Sequence, residues 1–181
     1  MRSDDDDRTT GWRHFRGIIA AVVTAASSKV GTAATRGANG AAPANRPPWS
    51  THIRALEDAL AQNNQSAAVR AWHAAHVAAF ASRRWDGLIE VGDAYLKIGE
   101  ASGSPRSAFA KARELYLTAL FRARELGDAD GALRVAQAFA ALGEREVTEQ
   151  CLVVARDLAA RVRNPKVEAR VRAVAELLAA R

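Results

Sequence analysis

The feature that most constrains this fold is a spaced triplet of small, large and small residues that occurs three times. Ala112, Tyr116 and Ala119 form the clearest copy. The other two copies are Ala68, Trp72 and Ala75, and Thr148, Leu152 and Ala155. Residues three and four positions apart share one face of an α-helix. Each copy therefore predicts a helix whose small residues admit a neighbouring helix, while its large residue fills the space beside the contact.

A second pattern precedes two of these copies and predicts the helix that packs against each. GDAYLKIGE at 92–100 aligns with AQAFAALGE at 136–144, which makes Tyr95 equivalent to Phe139. Both segments end in Gly–Glu, and a glycine at that place suits the end of a helix and a chain reversal. Such pairs bury their apolar faces only against neighbouring pairs, so the repetition predicts stacking. Trp72, Tyr95 and Tyr116 are expected to be largely buried at helix–helix contacts.

Helical periodicity and helix-ending residues divide residues 49–181 into seven predicted helices. Hydrophobic residues make up 49% of the chain but aromatics only 6%, and alanine supplies much of the apolar share. Alanine is the best helix former, and no Val/Ile/Thr alternation indicates a strand. Ser50 or Thr51 is expected to cap the first helix, and Asn164 the seventh, with Pro165 in its first turn. The predicted fold class is all-α: a short α-solenoid of about three antiparallel helix pairs plus a C-terminal capping helix.

The three copies are unevenly spaced. The second begins 44 positions after the first, and the third begins 36 positions after the second. The eight additional residues of the middle repeat are expected to fall in the segment EASGSPRS, 100–107. Uneven spacing keeps an irregular antiparallel bundle open as the alternative to a regular superhelix.

The first 48 residues differ in composition from the rest and are predicted to be a flexible segment ahead of the helical domain, 49–181. An acidic run, a basic stretch, a short apolar run and a Gly/Pro-containing stretch follow one another. The apolar run is far shorter than the roughly 20 residues that a membrane-spanning helix needs. A basic flank followed by a short apolar run is typical of a secretory signal. A cytoplasmic location is slightly favoured, and export through an N-terminal signal is the alternative.

The best of the repeats resembles the tetratricopeptide repeat family. Its motif is Leu88, Val91, Gly92 and Tyr95, followed by Ala112, Tyr116 and Ala119. The stretch beginning at Lys111 is also similar to the second helix of the related Sel1-like repeats. The resemblance covers about residues 50–160 and departs from the family in the uneven spacing, in the missing proline after each second helix, and at Leu56 and Ala59, where Gly/Ala and Tyr are usual. It implies stacked helix pairs that bind a protein or peptide partner in a groove lined by the first helices.

The resemblance also places the groove by register. Its predicted lining is Ile53, Glu57 and Leu60; Asp86, Ile89, Asp93, Leu96 and Lys97; and Asp130, Leu133, Gln137 and Ala141. One subtype of the family grips a C-terminal carboxylate with Lys, Arg and Asn, but Glu57, Asp93 and Gln137 occupy the key positions here. The ligand implied is a basic or amphipathic segment. The N-terminal segment of the chain, or another subunit, is the alternative occupant of this face.

Charge supports a second class of function. The chain carries a formal net charge of +6, but residues 51–149 are nearly neutral, and the excess of basic residues lies in the two ends. The alternative hypothesis is therefore an adaptor that contacts nucleic acid or anionic membrane through its basic N- and C-terminal ends. Interleaved acids and the lack of an aromatic platform near the C-terminus argue against nucleic acid.

No motif for catalysis is found in the sequence. His73 and His76 are spaced to touch one metal, but no second motif of that kind accompanies them. The single cysteine, Cys151, stands among helical residues and is interpreted as a small buried hydrophobe. The chain is therefore predicted to be a non-enzymatic binding protein without metal or cofactor.

Overall fold

The computed structural model describes residues 46–163 and 165–179, and the described part contains seven α-helices. They are α1 (Ser50–Ala61), α2 (Gln65–Ala81), α3 (Trp85–Ala101), α4 (Pro105–Glu125), α5 (Ala129–Ala141), α6 (Arg145–Val162) and α7 (Pro165–Ala179). The helical body consists of 47–140 and 144–179. This confirms the all-α class. Most of the segment predicted to be flexible, and the predicted cap Asn164, lie outside the described residues.

Consecutive helices pack against one another in pairs. Contacts join the consecutive helices α1 to α2, α2 to α3, α3 to α4 and α6 to α7, and they also join α1 to α3 and α4 to α6. Connections of two or three residues require each helix to run antiparallel to the one before it. In the text below, α1, α3 and α5 are called the first helices, and α2, α4 and α6 the second helices.

Each connection contains one residue with left-handed backbone geometry. These residues are Asn63, Arg83, Gly103, Gly127, Gly143 and Arg163, with φ between +51° and +76°. Such a residue ends a helix by turning the next backbone N–H towards the carbonyls of the last turn. At the end of α1, for example, Asn64 N–H donates to Ala59 O at 2.9 Å. The same residue caps α2, because its side chain accepts a hydrogen bond from Ala67 N–H.

All nine residues of the small–large–small triplets are buried, as their spacing predicts. Tyr116 is only 1% exposed, and its ring occupies the place where Gly92 lacks a side chain. A Cβ on that glycine would stand 2.6 Å from Cε1 of the tyrosine. The ring also meets Phe139 edge-on, with 5.7 Å between centroids. The tyrosine hydroxyl donates to Asp93 Oδ1 at 2.5 Å.

Tyr95 differs from its prediction, because it is half-buried instead of largely buried. Its ring centroid lies 4.5 Å from that of Trp72. Trp72 itself is buried as expected and donates its indole N–H to the carbonyl of Val91 at 3.0 Å. Tyr95 therefore covers the edge of this contact, where one of its sides remains open to water.

The eight additional residues of the middle repeat were predicted to fall in the segment 100–107, and there they lengthen the two helices that flank the connection 102–104. By repeat register, α3 runs four positions beyond the ends of α1 and α5, and α4 begins four positions before α2 and α6. The connection between α3 and α4, 102–104, is as short as the others. The added turns pack closely because Gly99 has no side chain. A Cβ on this glycine would stand 2.2 Å from that of Ala108.

Two tryptophans at the starts of first helices fix each pair on the next. Trp49 lies over Gly87 of α3, and Trp85 lies over Gly131 of α5. A Cβ on either glycine would come within 2.9 Å of the indole ring. Trp49 also occupies the position before the first residue of α1, so neither Ser50 nor Thr51 caps that helix.

The contact between Tyr116 and Gly92 predicts the largest loss of stability for truncation of that ring. Tyr116→Ala is expected to lower the free energy of unfolding by about 3–5 kcal/mol, as for other buried aromatics. Tyr116→Phe keeps the ring and loses the hydroxyl with its hydrogen bond to Asp93, so its cost should not exceed about 1.5–3 kcal/mol. Urea denaturation followed by circular dichroism measures both. Equal losses for the two variants would contradict the role given to the ring.

Candidate functional site

The polar residues of α3 are confined to one row. Its apolar residues and glycines are almost all buried, since α1, α2 and α4 pack around this helix. The charged residues follow at intervals of three or four positions: Asp86, Glu90, Asp93, Lys97 and Glu100. Because that spacing traces one face of a helix, this row is where α3 meets solvent.

The other first helices carry polar residues at equivalent positions. Repeat register relates α1 to α3 by 36 positions and α3 to α5 by 44. We call the resulting surface the first-helix stripe: Ser50, Arg54 and Glu57 of α1; Asp86, Glu90, Asp93 and Lys97 of α3; and Asp130, Arg134 and Gln137 of α5. All of these residues are exposed or half-buried. The stripe is therefore polar and of mixed charge.

The structure separates the nine residues singled out for the groove into two groups. Six of them belong to the first-helix stripe: Glu57, Asp86, Asp93, Lys97, Asp130 and Gln137. The other three, Ile89, Leu96 and Leu133, are 2–4% exposed and offer almost no surface to a partner. Of the further lining residues, Ile53 and Leu60 are half-buried. The groove prediction thus included three apolar residues whose side chains are buried in the protein interior.

Four stripe residues were missed by the sequence prediction of the groove: Ser50, Arg54, Glu90 and Arg134. The last three occupy one register position on the three first helices, spaced by the same 36 and 44 residues as the rest of the repeat. That spacing indicates that the three residues are equivalent. The equivalence was overlooked because the charge alternates in sign along the row.

Intramolecular partners hold several acidic side chains of the stripe. Glu57 forms an ion pair with Lys97, which links α1 to α3. Asp86 accepts two hydrogen bonds from the Arg84 guanidinium, the shorter at 2.5 Å. Asp130 pairs with Arg170 of α7. These contacts lower the negative potential that a partner would meet.

The surroundings of Glu90 perturb its carboxyl group. Its Oε2 accepts the indole N–H of Trp49 at 2.9 Å. Partial removal from water raises the pKa of Glu90, and the nearby Asp86 and Asp93 raise it further. The hydrogen bond from Trp49 and the charge of Arg134 act in the opposite direction. Trp85 repeats the arrangement one pair later by donating to Asp128 Oδ2 at 2.9 Å.

The other chemically versatile side chains lie away from the stripe. His73 and His76 both contact Trp72, and the His76 ring stacks on it with 5.2 Å between centroids. Burial lowers the pKa of His76, helped by the positive Lys111. Cys151 is fully buried, and burial raises the pKa of its thiol to about 11.

Two features are absent from the described residues, 46–163 and 165–179. No three of their His, Cys, Asp and Glu side chains are grouped so that they could hold a metal ion. None of their helices combines the length and the apolar character needed to cross a membrane.

The raised pKa of Glu90 predicts how its removal changes stability with pH. The folded chain binds the Glu90 proton more tightly than the unfolded chain does, so ionised Glu90 lowers the free energy of unfolding above its folded pKa. That loss is recovered as the pH falls through the folded pKa towards the ordinary value of 4.5. Glu90→Gln keeps an acceptor for Trp49 and should therefore be at least as stable as the natural chain at pH 7.

Denaturation with urea at pH 7 and pH 4 checks this expectation. The advantage of Glu90→Gln should disappear at pH 4, where the natural carboxyl group also becomes neutral. Glu146→Gln, on the exposed first turn of α6, is the control for removing a surface charge. A deficit of Glu90→Gln that persists at both pH values would contradict the prediction.

Comparison of the chain with models of known protein families, with curated proteins and with solved structures finds no match. The chain's own residues and contacts establish seven helices, within the described residues, that pack in sequential pairs.

Proposed function

We propose that the chain is a degenerate tetratricopeptide-like or Sel1-like array that binds a protein or peptide partner across its first-helix stripe, without catalysis. One observation carries the proposal. The three first helices present polar residues at the same register positions, and on α3 this row is where the charged residues of an otherwise enclosed helix meet solvent. A partner laid across the row would contact three successive pairs at once, as in other helical repeat arrays.

The composition of the stripe indicates what kind of segment it suits. One row consists of Glu57, Asp93 and Gln137 and contains no basic residue. The neighbouring row alternates Arg54, Glu90 and Arg134. Since Ile89, Leu96 and Leu133 are buried, apolar anchors contribute little in this conformation. The expected partner is a polar segment with basic residues, held by hydrogen bonds and ion pairs, with an association rate that falls as salt rises.

Site-specific photo-crosslinking tests the proposal in the native cell. A photoreactive amino acid at Gln137, and another at Arg54, should capture the same partner, because both side chains lie in the stripe. Val153 of α6 is the matched control, since it is exposed but lies on a second helix. Mass spectrometry identifies the captured protein.

Charge reversal then tests the captured partner in purified form. Glu57 is exposed. Glu57→Lys should weaken binding by about tenfold, which corresponds to a loss of roughly 1.4 kcal/mol of binding free energy. Asp93→Lys is less suitable, because it breaks the hydrogen bond to the buried Tyr116, whereas Glu57→Lys breaks an ion pair with Lys97 at the surface. Capture from Val153 alone, or unchanged affinity of Glu57→Lys and Arg134→Glu, would overturn the proposal.

A further inference from the structure

The three second helices end side by side at one edge of the array. The guanidinium of Arg122, in the last turn of α4, reaches the end of α2 and donates to the carbonyls of Ala79, Phe80 and Arg84 at 3.1–3.4 Å. It also lies 4.8 Å over the ring of Phe80. Helix α4 packs against α6 in turn. Since the three second helices run in the same direction, the ends of α2, α4 and α6 lie on the surface at one edge of the array.

Large apolar side chains are concentrated on this surface. Eight such residues are exposed in the described part of the chain, and five lie within the last five residues of a second helix or directly after it. They are Val77, Phe80, Phe121, Leu126 and Val162, each more than half exposed. Single exposed apolar residues are ordinary, but a grouped set indicates a contact surface.

Arginines surround these apolar residues. Arg83, Arg124, Arg161 and Arg163 are exposed and form no side-chain hydrogen bond or ion pair with other described residues. Glu125 is the exposed acid in the same final turns, and the exposed Asp157 lies one turn before the end of α6. We call the five apolar residues and four arginines together the second-helix edge. Its charge is positive, and its composition is both apolar and basic.

Helix stability explains only part of this arrangement. Cations near the C-terminus of a helix are favoured by its dipole. Two of the arginines, however, occupy left-handed positions, with φ of +57° at Arg83 and +51° at Arg163. At the end of α4, the left-handed position is occupied by Gly127, and glycine adopts this geometry without a steric cost. The left-handed backbone is strained for arginine and not for glycine. An arginine at such a position therefore indicates that its side chain has a function.

We propose that the second-helix edge docks on an anionic lipid surface, with its apolar side chains in the boundary between headgroups and acyl chains and its arginines on lipid phosphates. Both components fit this occupant, because interfacial binding combines buried apolar area with attraction to anionic lipid. Nucleic acid is less suited, since its phosphates offer nothing to Leu126 or Val162, and Arg122 already covers a face of Phe80. The surface is separate from the first-helix stripe, so this inference does not depend on the proposed partner.

Sedimentation of the full chain with lipid vesicles tests the proposal. The chain should bind vesicles of phosphatidylcholine containing about one third phosphatidylserine, and should bind pure phosphatidylcholine much more weakly. Arg83→Gly and Arg163→Gly each remove one charge and relieve the left-handed strain, so the fold should be no less stable. Each should lower the vesicle partition coefficient about fivefold, as for about 1 kcal/mol per basic residue near the surface. Phe121→Ser should lower it about tenfold through lost apolar burial.

Matched controls separate this surface from the basic ends of the chain. Arg145→Ser removes the same charge from the opposite edge, and Val153→Ser removes an exposed apolar residue from the middle of α6. Neither should change vesicle binding. Equal binding by the natural chain and the edge variants would overturn the proposal, as would sensitivity to the arginine changes without sensitivity to Phe121→Ser. Edge variants that lose affinity for a single-stranded oligonucleotide and not for vesicles would also overturn it.

Discussion

The whole array depends on the close approach of helices at positions without a side chain. Tyr116 against Gly92, Trp49 against Gly87 and Trp85 against Gly131 each place a large ring where a Cβ would collide. The chain has few large residues, so it has no bulky core. Dispersion between the many atoms at contact distance stabilises the helix interfaces instead. The first of these contacts joins the helices of one pair, and the other two join one pair to the next, so the same device supplies both kinds of interface.

This packing also decides how charge is distributed over the surface. Because α3 is enclosed by its neighbours, its charged residues share one row, and one of them, Lys97, pairs with Glu57 of α1. The second helices bury a smaller part of their circumference towards their ends. Their last turns can therefore carry Phe121 and Leu126 in contact with water beside arginines. The two faces of one array thus differ in chemistry, although both are made of α-helices with similar periodicity.

Periodicity in the sequence was sufficient to predict the class, the seven helices and the burial of the triplets. Spacing alone reports which residues share a face of a helix, and the triplets needed no more than that. It does not report how many neighbours surround the helix, so Ile89 and Leu96 were assigned to an open groove although α3 is enclosed. The tryptophans at 49 and 85 were overlooked for a different reason: their partners, Gly87 and Gly131, are more than 35 residues away, and only the three-dimensional stack brings them together.

The lengthened middle pair shows how an array of this kind tolerates a change in length. Four added residues turn an α-helix through about 400°, so each face returns to within about 40° of its former direction. Adding four residues to α3 and four to α4 therefore extends both helices beside each other while the connection 102–104 and the phase of every later repeat are kept. A change of two residues on one helix would instead rotate Tyr116 away from Gly92. Changes in length that such packing tolerates are thus whole turns added to or removed from both helices of a pair, and the unequal intervals of 44 and 36 fit this rule.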